Sequence, residues 1–136
     1  MGARRDDVTM RRCCALAVFI AAFPLGPIPV EAAKQSAVPN RFGAIAYQRA
    51  SQSWGVSYDT ARARDASVEA LRQCGRRECE VVHKFRNGCA ALADGPKIHA
   101  AASGATRDEA ETKTLRQCSA KNGGKTCTLI AWACTR

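Results

Sequence analysis

Two short, mostly apolar runs set off by a polar stretch come first in the globular part of this chain. "FGAIAY" (Phe42–Tyr47) and "SWGVSY" (Ser53–Tyr58) are rich in β-formers and separated by the polar "QRASQ" (48–52), which predicts a β-hairpin. Trp54, Val56 and Tyr58 alternate onto one strand face. The apolar period then lengthens. Ala66, Ala70, Leu71 and Cys74 fall on one side of a helix, with Asp59 or Thr60 as its expected N-cap and Gly75 as its stop. "EVVHKF" (Glu80–Phe85) returns to a strand pattern.

The same order then recurs. "CAALA" (Cys89–Ala93) and the weaker "KIHAAAS" (Lys97–Ser103) predict strands, and "TRDE" (Thr106–Glu109) has the form of a capping box. Ala110, Thr114, Leu115 and Cys118 share a helix face, and "TLIAWA" (Thr128–Ala133) is the last strand. Asn87-Gly88, between the halves, carries the strongest tight-hairpin signal in the chain.

The recurrence is a duplication. "LRQC" stands at Leu71–Cys74 and again at Leu115–Cys118, and "TARARDASVEALRQC" lies over "GATRDEAETKTLRQC". "GAIAY" (Gly43–Tyr47) aligns with "CAALA", and "CEVVHKF" (Cys79–Phe85) with "CTLIAWAC" (Cys127–Cys134). The period is about 45 residues. The predicted fold is α+β: a ββαβ unit used twice (42–88 and 89–136) in tandem pseudo-symmetry. It forms a single disulfide-stapled antiparallel-sheet domain with two helices.

The N-terminal third follows other rules. Arg11-Arg12 precedes an unbroken apolar run of 11 residues, Cys13–Phe23, and small residues at Val30 and Ala32 fit a cleavage site. That run is too short to span a bilayer and has the length of a secretory h-region. Residues 1–32 are therefore expected to be a signal peptide, with Met10 as the true start. Residues 33–41 form a polar linker, and the product is secreted or periplasmic, with no transmembrane segment after cleavage.

Composition sharpens this picture. The chain carries eight cysteines. Cleavage removes Cys13 and Cys14, and six in an exported domain this small point to three disulfides. Neither Cys-x4-Cys nor Cys-x8-Cys has the close spacing of zinc ligands, so no metal is expected. Six cysteines permit 15 pairings. Pseudo-symmetry singles out Cys74 with Cys79 and Cys118 with Cys127, each joining a helix end to the next strand, and leaves Cys89 with Cys134.

Charge points outward. The net charge is +9. The leader takes four of 21 basic and three of 12 acidic residues, leaving about +8. Such a surface suits acidic partners, although solubility alone accounts for it equally simply. Arg72, Arg76 and Arg77 surround the first helix end, Arg116, Lys121 and Lys125 the second, and Lys84 and Arg86 share the strand face opposite Val81, His83 and Phe85. Cations suit helix C-termini. The sharper expectation is one anion-binding surface built from both basic loops, for an acidic protein or an anionic envelope component. No aromatics are interleaved with these charges, which argues against a nucleic-acid stacking platform.

Taken together, "GAIAY…WGVSYD…EALRQCG…CEVVHKFRNGCAALA" and "CTLIAWAC" resemble the small exported bacterial proteins grouped as domain of unknown function 4189, over about Phe42 to Arg136. The resemblance implies export and a cysteine-stapled duplicated core, and it brings no active site or cofactor. "PKIHAAAS" stands where the family more often has a Gly- and aromatic-rich hairpin. Catalytic signals are thin. The serines lie in no nucleophile motif, and only His83 and His99 could serve as histidine bases. The expectation is a non-enzymatic, inhibitor- or effector-like binding protein. The alternatives are a small hydrolase using His83 or His99 with a carboxylate, and a purely structural envelope protein.

Overall fold

The computed structural model describes residues 37–136 and Gly26; residues 37–136 belong to the compact unit Ser36–Arg136. Apart from Gly26, the expected signal segment 1–32, with its Met10 start, and the first four linker residues lie outside the described residues. The elements are β1 (Phe42–Gln48), β2 (Ser53–Thr60), α1 (Ala63–Cys74), β3 (Glu80–Arg86), β4 (Cys89–Asp94), β5 (Ala100–Gly104), α2 (Arg107–Lys121) and β6 (Thr128–Cys134). Two ββαβ units follow one another. Each makes its own three-stranded antiparallel sheet, in the order β2-β1-β3 and β5-β4-β6.

The residue pattern explains how these pieces stack. The central strands β1 and β4 are buried along almost their whole length, because each is covered on both faces. Ala44 and Ala46 turn to α1, where they pack with Ala66, Ala70 and Cys74. Ile45 and Tyr47 turn the other way and meet Leu92 and Ala90 of the second sheet, with Phe85 and Ala133. Ala91 and Ala93 in turn face Ala110 and Cys118 of α2. The result is four layers: helix, sheet, sheet, helix. Burying the small residues on the helix-facing sides permits close approach, closest at Gly55 of β2, where an added Cβ would strike the Ala70 carbonyl and the Cys74 amide.

The duplication is visible strand by strand. In β1 against β3 the register shifts between Ile45 and Ala46, leaving Val82 as the extra residue, and in β4 against β6 it shifts between Leu92 and Ala93, leaving Ile130. The two bulges are equivalent. They place Phe42–Tyr47 over Cys89–Asp94, one residue away from the alignment of "GAIAY" on "CAALA". Burial decides the register, because a one-residue slip would turn Ile45 and Leu92 to opposite faces.

Other expectations also change. Asp59 and Thr60 do not cap α1. Strand β2 runs through Thr60, which pairs with Phe42, and the N-cap is Arg62, with no side-chain cap bond. The Thr60 hydroxyl serves Phe42 and Arg62 carbonyls, and Asp59 (φ 56°) accepts the Arg136 amide at 2.6 Å. Asn87-Gly88 is no hairpin: β3 and β4 lie in different sheets. Only Asn87 takes a positive φ (49°), whereas a two-residue type I′ turn needs both. Asn87 instead clasps Arg41 and Asn40, and Gly88 bonds Thr135. Leu71 is 37% exposed and does not join the α1 core. The Val82 bulge also puts Val81 on the α1 side and His83 with Phe85 on the other.

The strand expected over Lys97–Ser103 begins only at Ala100 and runs to Gly104, leaving His99 ahead of it, whereas the helix-end signals and the cysteines act where expected. Gly75 ends α1 at φ 69°, its N–H bonding the Leu71 carbonyl, and Thr106 accepts the Glu109 amide while Glu109 accepts that of Ala105. Disulfides join Cys74 to Cys79, Cys118 to Cys127 and Cys89 to Cys134, the pairs that the repeat singles out. Among the described residues, no helix is long and apolar enough to cross a membrane.

Candidate functional site

All eight basic residues singled out in the sequence are exposed, but the layering distributes them. Arg72, Arg76 and Arg77 stand at the C-terminal end of α1. Arg116, Lys121 and Lys125 stand at that of α2. The helices cover opposite outer faces and do not touch, but both C-termini stand at the same end of the sandwich: Arg76 reaches Ser53, next to Gln52, and Lys125 precedes Thr126, and Gln52 and Thr126 line one cleft. Lys84 and Arg86 form a third group. Strand β3 runs back from the Cys79 bridge, and they border a shallow cleft of about 290 Å³ with Phe42, Phe85 and Ala63, the first residue of α1. A 12-residue helix, about 18 Å long, separates them from Arg72.

These cations differ in their freedom. Arg72 is committed to Glu69 (2.7 and 2.8 Å), and its guanidinium, with the Gln73 amide, holds the Glu69 carboxyl down to about 2. Arg76 reaches the Ser53 hydroxyl at 3.4 Å. Apart from Arg72, none of the eight forms an ion pair with a described carboxylate.

A second constellation, absent from the sequence reading, lies at one end of the sheet sandwich. Tyr47 closes β1, Asp94 closes β4, and His99 precedes β5. The Tyr47 and His99 rings meet edge to face, 5.4 Å apart at 78°. Tyr47 is 3% exposed; its hydroxyl, like His99 Nδ1, is sealed from solvent and makes no hydrogen bond. Burial first, then the nearby Asp94 carboxylate, push the Tyr47 hydroxyl up to about 12, with Arg49 pulling the other way. Asp94 is itself neutralised by Arg49, whose Nε donates to Oδ1 at 3.0 Å and whose other nitrogen donates to the Gly95 carbonyl at 2.6 Å. Asp94 also lines an open cleft of about 400 Å³.

The register gives this group its meaning. The bulges make Tyr47 the counterpart of Asp94, and the β1–β2 and β4–β5 pairings make Trp54 the counterpart of His99. One half carries two aromatics where the other carries a carboxylate and an imidazole. A duplication that repeats its core has diverged here.

The histidines acquire different partners. His83 Nε2 lies 2.6 Å from Ser103 Oγ, tying the edge strands β3 and β5 across the sandwich, and burial lowers its pKa, favouring the neutral ring. Neither His83 nor His99 forms an ion pair with a described carboxylate. Among the described residues no group of three or more His, Cys, Asp or Glu could hold a metal ion. On the other side, Arg107 stacks over the Trp132 ring at 3.8 Å, and Trp132, 45% exposed, borders a cleft with Tyr58 and Arg136.

The domain of unknown function DUF4189 matches residues 42–134 of the chain. No curated protein matches it. Among solved structures, it is similar to the NMR structure of Rv1813c from Mycobacterium tuberculosis. That chain is 24% identical, the match covers 98% of this chain and 97% of the other, and the TM-score is 0.53. At that identity the likeness shows the fold alone.

Proposed function

The chain belongs to the DUF4189 family, and from that premise we propose that it is an exported, non-enzymatic interaction protein that recognises an acidic partner through the basic loops at its helix ends. One observation carries this reading. Of sixteen Lys and Arg in residues 37–136, five are held in ion pairs, which leaves eleven without a described carboxylate. Seven of the eight singled-out cations are among those eleven. The three disulfides are consistent with an oxidising extracytoplasmic compartment, secreted or periplasmic.

Both helix ends stand at one end of the sandwich, so both are presented to an acidic partner approaching that end. The test is binding of the oxidised protein to a poly-glutamate chain, for the native form, Arg72/Arg76/Arg77→Glu, Arg116/Lys121/Lys125→Glu and the combined variant. Each triple variant is expected to weaken binding by roughly tenfold or more, and the combination to abolish it. Undiminished binding by the combined variant would sink the proposal.

The His83–Ser103 contact favours a second reading, hydrolysis with Ser103 as nucleophile and His83 as base. No described carboxylate orients the ring, so the pair lacks the third member of a triad. Turnover of a p-nitrophenyl ester by the native protein, lost in Ser103→Ala, would decide for it over binding alone.

A further inference from the structure

We infer that the cleft at the Tyr47–Asp94 end of the sandwich binds a small neutral ligand rich in hydroxyl or amide groups, of the size and chemistry of a monosaccharide. This site lies beside the basic helix ends, since Thr126 follows Lys125 and Gln52 precedes Ser53, the partner of Arg76, but its lining and its test do not depend on their charge. Three observations lead to it.

The first is charge. Asp94 is the one carboxylate lining the cleft, and Arg49 already neutralises it at 3.0 Å. Arg49 itself does not line the cleft, so the lining presents a single carboxylate whose charge is already compensated. Neither an anion nor a cation finds an uncompensated partner in that lining, and a neutral ligand is favoured.

The second is lining chemistry. Gln52, Thr126 and Thr128 bring an amide and two hydroxyls, groups that both donate and accept, and Pro96 and Ile130 supply apolar surface between them. Gln52, Asp94, Thr126 and Thr128 come from three separate loops or strand ends. The volume, about 400 Å³, lies within the usual range of small-molecule sites.

The third is what stands behind the lining. Tyr47, more than nine-tenths buried, and His99 hold two sealed polar atoms without partners, which a core under selection for stability alone would replace with Phe and an apolar residue. Asp94 connects them to the cleft, since it lines the cleft and acts on the Tyr47 hydroxyl. The duplicated counterparts of Asp94 and His99 are Tyr47 and Trp54, so the carboxylate and imidazole at this end are not something the repeated fold imposes on both halves.

The test is an amide NMR titration of the full chain with its disulfides intact, using glucose, N-acetylglucosamine, sulfate and ethylammonium as probes. Saturable shifts at Gln52, Gly95 and Thr128 are expected for a sugar, at concentrations up to about 50 mM, a range suited to a ligand with so few atoms. Asp94→Asn and Thr128→Val should each weaken that binding by roughly fivefold or more. Thr128 is exposed, so its variant keeps the fold, which near-ultraviolet circular dichroism checks. No saturable shift with either sugar, shifts unchanged in both variants, or tighter binding of sulfate or ethylammonium would each overturn the inference.

Discussion

Gly55 lies beneath α1 where no side chain fits. A methyl group there would meet backbone on two sides, the Ala70 carbonyl and the Cys74 amide, and neither can move aside as a flexible side chain would. Gly55→Ala is expected to cost about 3 kcal/mol or more in denaturant unfolding, at the upper end for overpacked cores. Asn122 is the opposite case, a buried side chain with every polar atom engaged. Its Oδ1 accepts the amides of Lys97 and Ile98 at 2.7 and 3.1 Å, and its Nδ2 donates to the carbonyls of Ile98 and Cys118, both at 2.8 Å. Asn122→Ala strands these partners and should lose about 2–4 kcal/mol by the same assay. Tyr47 adds a pH dependence. Its pKa is raised from 10.0 to about 12 in the folded protein, so the neutral phenol is favoured there. The associated stability is complete below pH 10 and lost as pH rises toward 12, by up to about 2–3 kcal/mol. Urea unfolding between pH 9 and pH 11 should show this decline, and Tyr47→Phe should flatten it.

At the scale of elements, the duplication is held by staples of unequal reach. Cys74–Cys79 and Cys118–Cys127 close loops of 5 and 9 residues, whereas Cys89–Cys134 closes 45 and ties β4 to the C-terminal strand. In the chain-entropy account the long loop contributes about 4 kcal/mol and each short one about 2–3. Replacing Cys89 and Cys134 by Ser should therefore lower the unfolding midpoint most, and an equal loss from all three pairs would contradict that account. Much of this level was legible in the chain. Periodicity identified the strands and helices, Gly75 and the Thr106–Glu109 box marked their helix ends, and the helix-end cysteines pointed to local bridges. The misses have physical causes. Arg62 caps α1 without a side-chain bond, so it left no signature, and Thr60 was drawn into pairing with Phe42. Matching letters placed β1 over β4 one residue off, because the bulges opposite Val82 and Ile130 are set by packing that a self-alignment cannot see. The Tyr47–His99–Asp94 group was invisible for a related reason. Tyr47 is far along the chain from Asp94 and His99 and meets them only when one sheet packs on the other.

At the scale of the whole described unit, four layers turn a linear repeat into two outward helices whose cationic C-termini both stand at the Tyr47–Asp94 end of the sandwich. The account rests on their charge being used for recognition and not only for solubility. The most direct measurement is the affinity of the oxidised protein for poly-glutamate as sodium chloride rises from about 50 to about 300 mM, a range that shortens the screening length below the spacing of exposed charges. The account predicts measurable binding at low salt that weakens at least roughly tenfold across that range. Absence of binding at low salt, or binding indifferent to salt, would contradict it.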